Sequence, residues 1–335
     1  MTIYDIARIA GVSASTVSRV VNGKPGINEE TRSRIEALLK EYNYTPNEAA
    51  RGLVMQSSRI IGILIEDIRV FHHTEAAYVI EQELTGRGYT CITLSTGPKV
   101  ERKMEYIRIL EQRRVEGVIL MGSMFGVKEV QECMEKYLPH IPVALVNGCM
   151  DLPQSYSVLA DEERGVEDCV RLLVSKGRRN LAFIQDADTP SNRSKLRGFL
   201  RAAEEQGCQG HIVETDAGDE NGSPDYTIER GRRAVSWIME NYPDTDGIVF
   251  SVDLLAIGGL TELKTRKIEV PRQMAVIGVD NTLYGRISSP KLTTLDNKLV
   301  DVSRTAAEML LRALDKKEGP HKLMLFTEIV ERETT

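Results

Sequence analysis

From Arg59 onward, short apolar runs alternate with amphipathic stretches, and this alternation restricts the fold more than any other feature of the chain. Apolar runs fall at 60–65, 90–95, 117–121 and 143–147, with helical periodicity over 74–87, 101–113 and 127–137 between them. A second series has strand runs at 181–184, 211–214, 247–251, 275–279 and 323–326. Its helical stretches are 165–175, 194–206, 227–241, 255–264 and 302–315. Apolar strands each followed by a helix belong in parallel sheets covered on both faces. Two such series predict an α/β body of two similar lobes. Open parallel sheets bind ligands near the carboxyl ends of their strands, so the space between the lobes is the expected site.

The segment before Arg59 reads differently. In residues 2–22, TIYDIARIAGVSASTVSRVVN, two short amphipathic helices meet at Ala10-Gly11-Val12. Thr2 can cap the first helix, with Asp5 favouring its N-terminus, and Ser13 can cap the second. Gly11 tolerates the left-handed turn between them. Val17, Val20 and Val21 form the inner stripe of the second helix, which leaves Ala14, Ser15, Ser18, Arg19 and Asn22 outside. A small, polar, singly basic face suits a helix lying in a DNA major groove. The same spacing also describes an ordinary helical hairpin with a solvated outer face. Asn28 can cap a third helix, with Ile35, Leu38, Leu39 and Tyr42 on its inner side, and Tyr44-Thr45-Pro46 ends it. Residues 47–58, NEAARGLVMQSS, can form a short helix that Gly52 weakens and that needs a partner to be stable, or a plain linker.

Charge and cysteines narrow the function classes. The net charge of −6 does not advertise nucleic-acid binding, but residues 1–58 carry 7 Lys/Arg against 6 Asp/Glu while the rest carries 36 against 43. A mildly basic head on an acidic body permits local DNA contact. Cys91, Cys133, Cys149, Cys169 and Cys208 are scattered and never spaced CxxC, as expected of reduced thiols rather than metal ligands. No apolar run approaches the ~18 residues of a membrane helix. The first residues lack a basic segment followed by an apolar run, so a cytoplasmic protein without a membrane partner is expected. No dinucleotide fingerprint, Walker loop or nucleophile elbow is present, and no nucleophile, base and orienting group assemble, so neither enzyme activity nor a cofactor or metal is expected. His72 and His73 are adjacent, at a strand-to-helix loop, where they can line a pocket or face solvent.

Together, TIYDIARIAGVSASTVSRVVNG, YTPNEAARGL, IIGILIEDI, LADEERGV, KLRGF, SVDLLAIGGL, VIGVDN and SPKLTTLDN resemble the lactose/galactose-repressor family of bacterial transcription regulators over nearly the whole chain. The resemblance implies an all-α helix-turn-helix head with a hinge helix, joined to a two-lobe body like that of periplasmic binding proteins. It implies a homodimer that represses transcription from a pseudo-palindromic operator and is located on the bacterial nucleoid when bound. A small effector, a sugar or sugar derivative, would control it. The implied organisation is a head at 1–46, a hinge at 47–58, one lobe from 59–157 and 290–318, and a second from 158–289 and 319–335, with crossings near Val158, Pro290 and Gly319.

On matching positions, Ala14 and Ser15 would be the variable base readers, and Thr16, Ser18, Arg19 and Asn22 would contact phosphates or base edges. Tyr4 and Ser13 would anchor the head. Arg19 is the best candidate for guanine, since a guanidinium bonds O6 and N7 together. Leu53 would wedge into the minor groove, supported by Asn47, Ala50 and Arg51. The effector would be held by Asp67, His73, Ser123, Asp161, Arg193, Lys195, Tyr226, Asp253 and Asp280. Several positions depart from the family pattern. A histidine pair replaces the usual aromatic pair, Lys195 replaces an arginine, and Asn297-Lys298 replaces Gln-Pro. Lys195, Arg193 and the histidines would suit an anionic sugar. Pairing of Lys195 with Asp161 or Asp280 would leave a neutral-sugar site. A regulator that needs its ligand to bind DNA, and a sugar-binding module without regulation, remain alternative readings.

Overall fold

The computed structural model describes residues 1–44, 57–215 and 224–335, the last without the side chains of Pro224, Asp225 and Tyr226. The hinge positions Asn47, Ala50, Arg51 and Leu53, and the side chain of Tyr226, therefore lie outside the described residues. Contacts divide the chain between Ser58 and Arg59.

The head consists of α1 (Ile3–Ala10), α2 (Ala14–Val21) and α3 (Glu29–Glu41). Local chemistry sets each boundary. Thr2 and Asp5 form a reciprocal capping box, while Ser13 and Asn28 accept the amides of Thr16 and Thr31. Gly11 ends α1 at φ 65°, the left-handed conformation that favours glycine. Ile6, Ala7, Ala10, Val17, Val20 and Ile35 close a small core.

The body contains twelve strands among the described residues. In chain order they are β1 (Ile60–Ile65), β2 (Thr90–Ser95), β3 (Gly117–Met121), β4 (Val143–Val146), β5 (Ser155–Ala160), β6 (Asn180–Gln185), β7 (Gln209–Glu214), β8 (Gly247–Phe250), β9 (Ala275–Val279), β10 (Thr293–Asp296), β11 (Lys322–Leu325) and β12 (Glu328–Val330). Between them run α4 (Phe71–Thr85), α5 (Val100–Gln112), α6 (Lys128–Tyr137), α7 (Glu162–Ser175), α8 (Pro190–Glu205), α9 (Pro224–Asn241), α10 (Asp253–Thr265), α11 (Leu283–Ile287) and α12 (Leu299–Leu314). The strands form two sheets, ordered β11-β5-β4-β3-β1-β2 and β12-β10-β9-β8-β6-β7. Every pairing is parallel except β10 with β12.

Each sheet is buried on both faces. Ile61, Ile63 and Ile65 pack in one cluster with Ile80 of α4 and Leu310 of α12, while Leu64, between the last two, turns to Ile107 and Leu110 of α5. In the second lobe Ile248 and Phe250 face α9 and α10, and Val249 faces α7 and α8. Such strands read as continuous apolar runs, which is why the sequence located most of them.

The lobe boundaries differ from those expected. β5 completes its run in the first sheet before the chain crosses near Asp161. β10 pairs with β9, so residues 293–296 belong to the second lobe, and the crossing follows them rather than preceding them near Pro290. β11 pairs with β5 and returns to the first lobe, so the last crossing lies between β11 and β12 rather than near Gly319. The misplaced strands, SYSVLA, TTLD and KLML, are short and partly polar, and their partners are fixed by tertiary pairing rather than by pattern.

Two glycines permit close helix packing. A Cβ on Gly198 would stand 2.1 Å from the Glu163 carbonyl oxygen of α7, and one on Gly258 would stand 2.0 Å from that of Ile228 in α9. Gly198→Ala and Gly258→Ala must push helix backbones apart. Each is expected to cost about 1–3 kcal/mol of body stability in a denaturant titration. An unchanged midpoint would mean that the helices are not so close.

Candidate functional site

On the head, the outer side of α2 is only partly free. Ser13 Oγ lies 2.9 Å from Thr16 Oγ1 and accepts the Thr16 amide at 3.1 Å, so these two residues secure the start of the helix. Ala14 is half-buried against the head core, a correction to its placement wholly on the outer face. Asn22 Nδ2 donates to the Ser18 carbonyl at 2.7 Å and lies 3.3 Å from Ser18 Oγ. Ser15 and Arg19 are exposed, as is Tyr4 on α1. Arg8 pairs with Asp5 at 3.1 Å, whereas Arg19 has no ion-pair partner among the described residues. The face therefore presents one uncommitted guanidinium amid short polar side chains.

In the body, loops at the carboxyl ends of the strands meet between the lobes. Lys195 of α8 is 4 % exposed. Its Nζ donates to the Ser251 carbonyl at 3.1 Å and Asn192 Oδ1 at 3.3 Å, and lies 3.4 Å from Glu162 Oε1. Burial opposes its charge, but Glu162, Asp280 and Asp186 more than compensate and hold its pKa above the ordinary value. Glu162, equally buried, accepts Asn147 Nδ2 from the first lobe at 3.1 Å and the hydroxyl of Ser191 from the second. Ser123 Oγ of the first lobe accepts the Ser191 amide at 3.2 Å. A cavity of about 780 Å³ opens here, lined by Ser123, Asn147, Glu162, Ser191, Arg197 and Phe326 among others.

Also between the lobes, though outside the lining of this cavity, His72 Nδ1 at the start of α4 stands 3.7 Å from Asp280 Oδ1 after β9. Burial drives the His72 pKa down to about 4, with Lys195 adding to the effect and Glu162 opposing it, so the ring is neutral near pH 7. Burial raises the Asp280 pKa to about 7, with Lys195 pulling it down and Glu162 and Asp186 pushing it up. Asp280 also sits at φ 105°, a backbone strain of about 1–3 kcal/mol of the kind that collects at functional sites.

Several expected ligand residues are engaged elsewhere. Asp253 is fully buried and accepts Thr282 N at 2.7 Å, Thr282 Oγ1 at 2.9 Å and Thr294 Oγ1 at 2.6 Å. It ties the ends of β8, β9 and β10 together, and burial raises its pKa to about 7, with the charge of Asp280 adding to the rise. Asp161 caps α7 through the Arg164 amide at 3.2 Å, though it borders the cavity. Arg193 pairs with Asp188 at 2.7 Å on the surface. Asp67 is held by Arg69 at 2.6 Å, and those bonds overcome burial to keep its carboxyl below the ordinary range. His73 Nδ1 lies 3.0 Å from the Asp67 carbonyl oxygen, and burial, then His72, lowers its pKa. The ring nearest Asp280 is thus His72, not His73. Sequence reasoning also missed Asn147, Glu162, Ser191 and Asp186. The LADEERGV stretch had marked the neighbourhood of Glu162 but not which acid turns inward.

The two raised carboxyls have a testable consequence. Between about pH 4 and 7 the folded chain holds protons on Asp253 and Asp280 that the unfolded chain has released, so their contribution to stability falls as pH rises. His72 acts oppositely. Neutral in the folded chain but protonated in the unfolded one, it adds stability as pH rises from about 4 to 6.5. Asp280→Asn removes one falling contribution. Its Tm should exceed the parent's at about pH 8, and the gap should close towards pH 4; a gap independent of pH would contradict the assignment.

Comparison with known proteins gives these features a family. Residues 2–47 match the profile of bacterial regulatory proteins of the lacI family, and residues 170–335 match that of a periplasmic binding protein-like domain. Catabolite control protein A of Priestia megaterium is 30% identical over 322 residues, which cover 95% of this chain and 93% of that protein. The chain belongs to the lacI family. It is a DNA-binding transcriptional regulator with a helix-turn-helix head and a two-lobe effector-binding body. Solved structures share this architecture. The lac repressor dimer bound to operator and the anti-inducer ONPF superposes on the lacI-family chain with a TM-score of 0.88 at 22% identity, covering 100% of this chain and 98% of its own. A lacI-family regulator from Enterococcus faecium with bound ribose gives 0.71 at 22% identity, covering 82% of this chain and 98% of its own. Among the described residues no helix is long and apolar enough to cross a membrane.

Proposed function

We propose that this chain represses transcription as a cytoplasmic homodimer on a pseudo-palindromic operator, and that a carbohydrate without negative charge controls it from the inter-lobe cleft. The observation that carries this reading is the buried Glu162–Lys195 pair, joined to both lobes beneath the cavity. A ligand that competes for these hydrogen bonds changes how the lobes meet, and differential affinity for two arrangements is what moves an equilibrium. The ribose bound to the Enterococcus faecium regulator supports a sugar here.

The charge inventory argues against an anionic sugar. Glu162, Asp186 and Asp280 surround one ammonium, His72 is neutral, and Arg193 is engaged on the surface. In the head, Ser15 and Arg19 would read bases, while Tyr4, Ser13, Thr16, Ser18 and Asn22 would seat α2 on the backbone, with Ala14 contributing its exposed part. The dimer reading draws on the need for two half-sites and on the exposed Leu283 and Ile287 of α11.

A thermal-shift panel of neutral sugars, uronates and sugar phosphates tests the reading. Neutral sugars should include a stabilising ligand, because specific binding raises Tm by mass action. Stabilisation by sugar phosphates alone would contradict it.

A further inference from the structure

Asp280 is a buried carboxyl that makes no direct ion pair with a lysine or arginine among the described residues, and the charge of Lys195 reaches it only at longer range. Lys195, whose charge acts on it, spends its donors on Ser251, Asn192 and Glu162. Arg230 donates to the carbonyl oxygens of Asp186 and Thr215. Among the described residues the one basic group within 4.0 Å of the Asp280 carboxylate is His72, which is neutral near pH 7. Its Nδ1 stands 3.7 Å away, too far for a hydrogen bond.

Two further atoms beside this carboxylate lack partners. Asn297 is 4 % exposed and donates Nδ2 to Asp280 Oδ1 at 2.9 Å, which leaves its own Oδ1 buried and unbonded. His72 Nδ1 is likewise buried and unbonded. An Nε2-protonated imidazole presents Nδ1 as an acceptor. The Asp280 carboxyl thus has an unbonded amide oxygen on the side chain that donates to it and an unbonded ring nitrogen 3.7 Å away, with acidic groups outnumbering basic ones in the cleft. Orphaned buried acceptors destabilise a fold, a cost a bound donor group removes.

A hydroxyl brings one donor to such a place. A protonated primary amine brings three, together with a positive charge that favours the ionised form of Asp280, whose carboxyl otherwise keeps its proton up to about pH 7. We propose that the cleft ligand carries a protonated primary amine seated between Asp280, Asn297 and His72, which makes an amino sugar or a similarly aminated polyol the effector class. Its hydroxyls would face Glu162 and Ser191 at the base of the cavity. This inference rests on the reading of the cleft as the effector site.

Calorimetric titration of the full chain at about pH 7, where a sugar amine is still largely charged and Asp280 can ionise, separates the two. The probes are glucosamine, galactosamine and mannosamine, their parent hexoses and their N-acetyl derivatives. At least one amino sugar should bind about tenfold or more tightly than both its parent hexose and its N-acetyl form. Asp280→Asn should erase that preference, and His72→Phe should reduce it through the same contact if Asp280→Asn fails to fold. A parent hexose binding as tightly as its amine, or a preference that survives in a folded variant, would overturn the proposal and leave the sugar-effector reading intact. If a wider set of neutral and cationic sugars produces neither heat nor a Tm shift, the effector reading fails with it.

Discussion

Lys195→Met is expected to destabilise the body by about 3–5 kcal/mol near neutral pH, because it strips the cation from a buried acidic cluster. Glu162 would lose the ammonium 3.4 Å from it, and Asp280 and Asp186 would lose the charge that offsets their mutual repulsion. The deficit should shrink on acidification, as protonation removes the unpaired charges. Folded Lys195→Met should also lose the sugar-induced Tm shift. Arg193→Ala is the comparison. It breaks only the surface pair with Asp188 and should change stability by no more than about 0.5 kcal/mol. Denaturant titrations of the two variants at two pH values test this contrast. Equal effects would mean that the buried lysine is not what holds the cluster together.

Arg19→Ala should produce the second large effect, on DNA rather than on folding. A good bidentate guanidinium–guanine pair discriminates by about 1–3 kcal/mol. A dimer makes the contact twice, so the summed loss is about 2–6 kcal/mol if the half-sites add. The side chain is exposed and has no ion-pair partner among the described residues, so Tm and sugar binding should not change. Specificity should relax at one symmetric pair of base positions, with a smaller loss on non-specific DNA. A uniform loss across sequences would reassign Arg19 to a phosphate contact.

Much of the fold was legible because its central strands are buried on both sides. IIGILI and AVIGV read as strands without reference to their neighbours. SYSVLA, TTLD and KLML did not, and the lobe crossings were misplaced with them, since only pairing to distant strands defines these segments. The site divided in a similar way. Lys195 and Asp280 lay in motifs that matched the family, and they meet in the cleft. His72 and His73 are one residue apart on α4, and the seating of that helix decides which ring reaches Asp280. Asp161 and Glu162 both open α7, yet one caps the helix and the other is buried against Lys195. Arg193 and Asp253 carry suitable chemistry, but Asp188 engages the first, and Thr282 and Thr294 engage the second.

The central claim is that occupancy of the cleft changes DNA affinity. It is tested most directly by fluorescence anisotropy of the full chain on the DNA it enriches from a random pool, with and without the sugar that raises its Tm. The enriched sequence should be pseudo-palindromic, and saturating sugar should move the binding midpoint by about 5–150-fold, the usual range of allosteric coupling. A midpoint unmoved by a sugar that demonstrably binds, or enrichment of DNA without two-fold symmetry, would contradict the account.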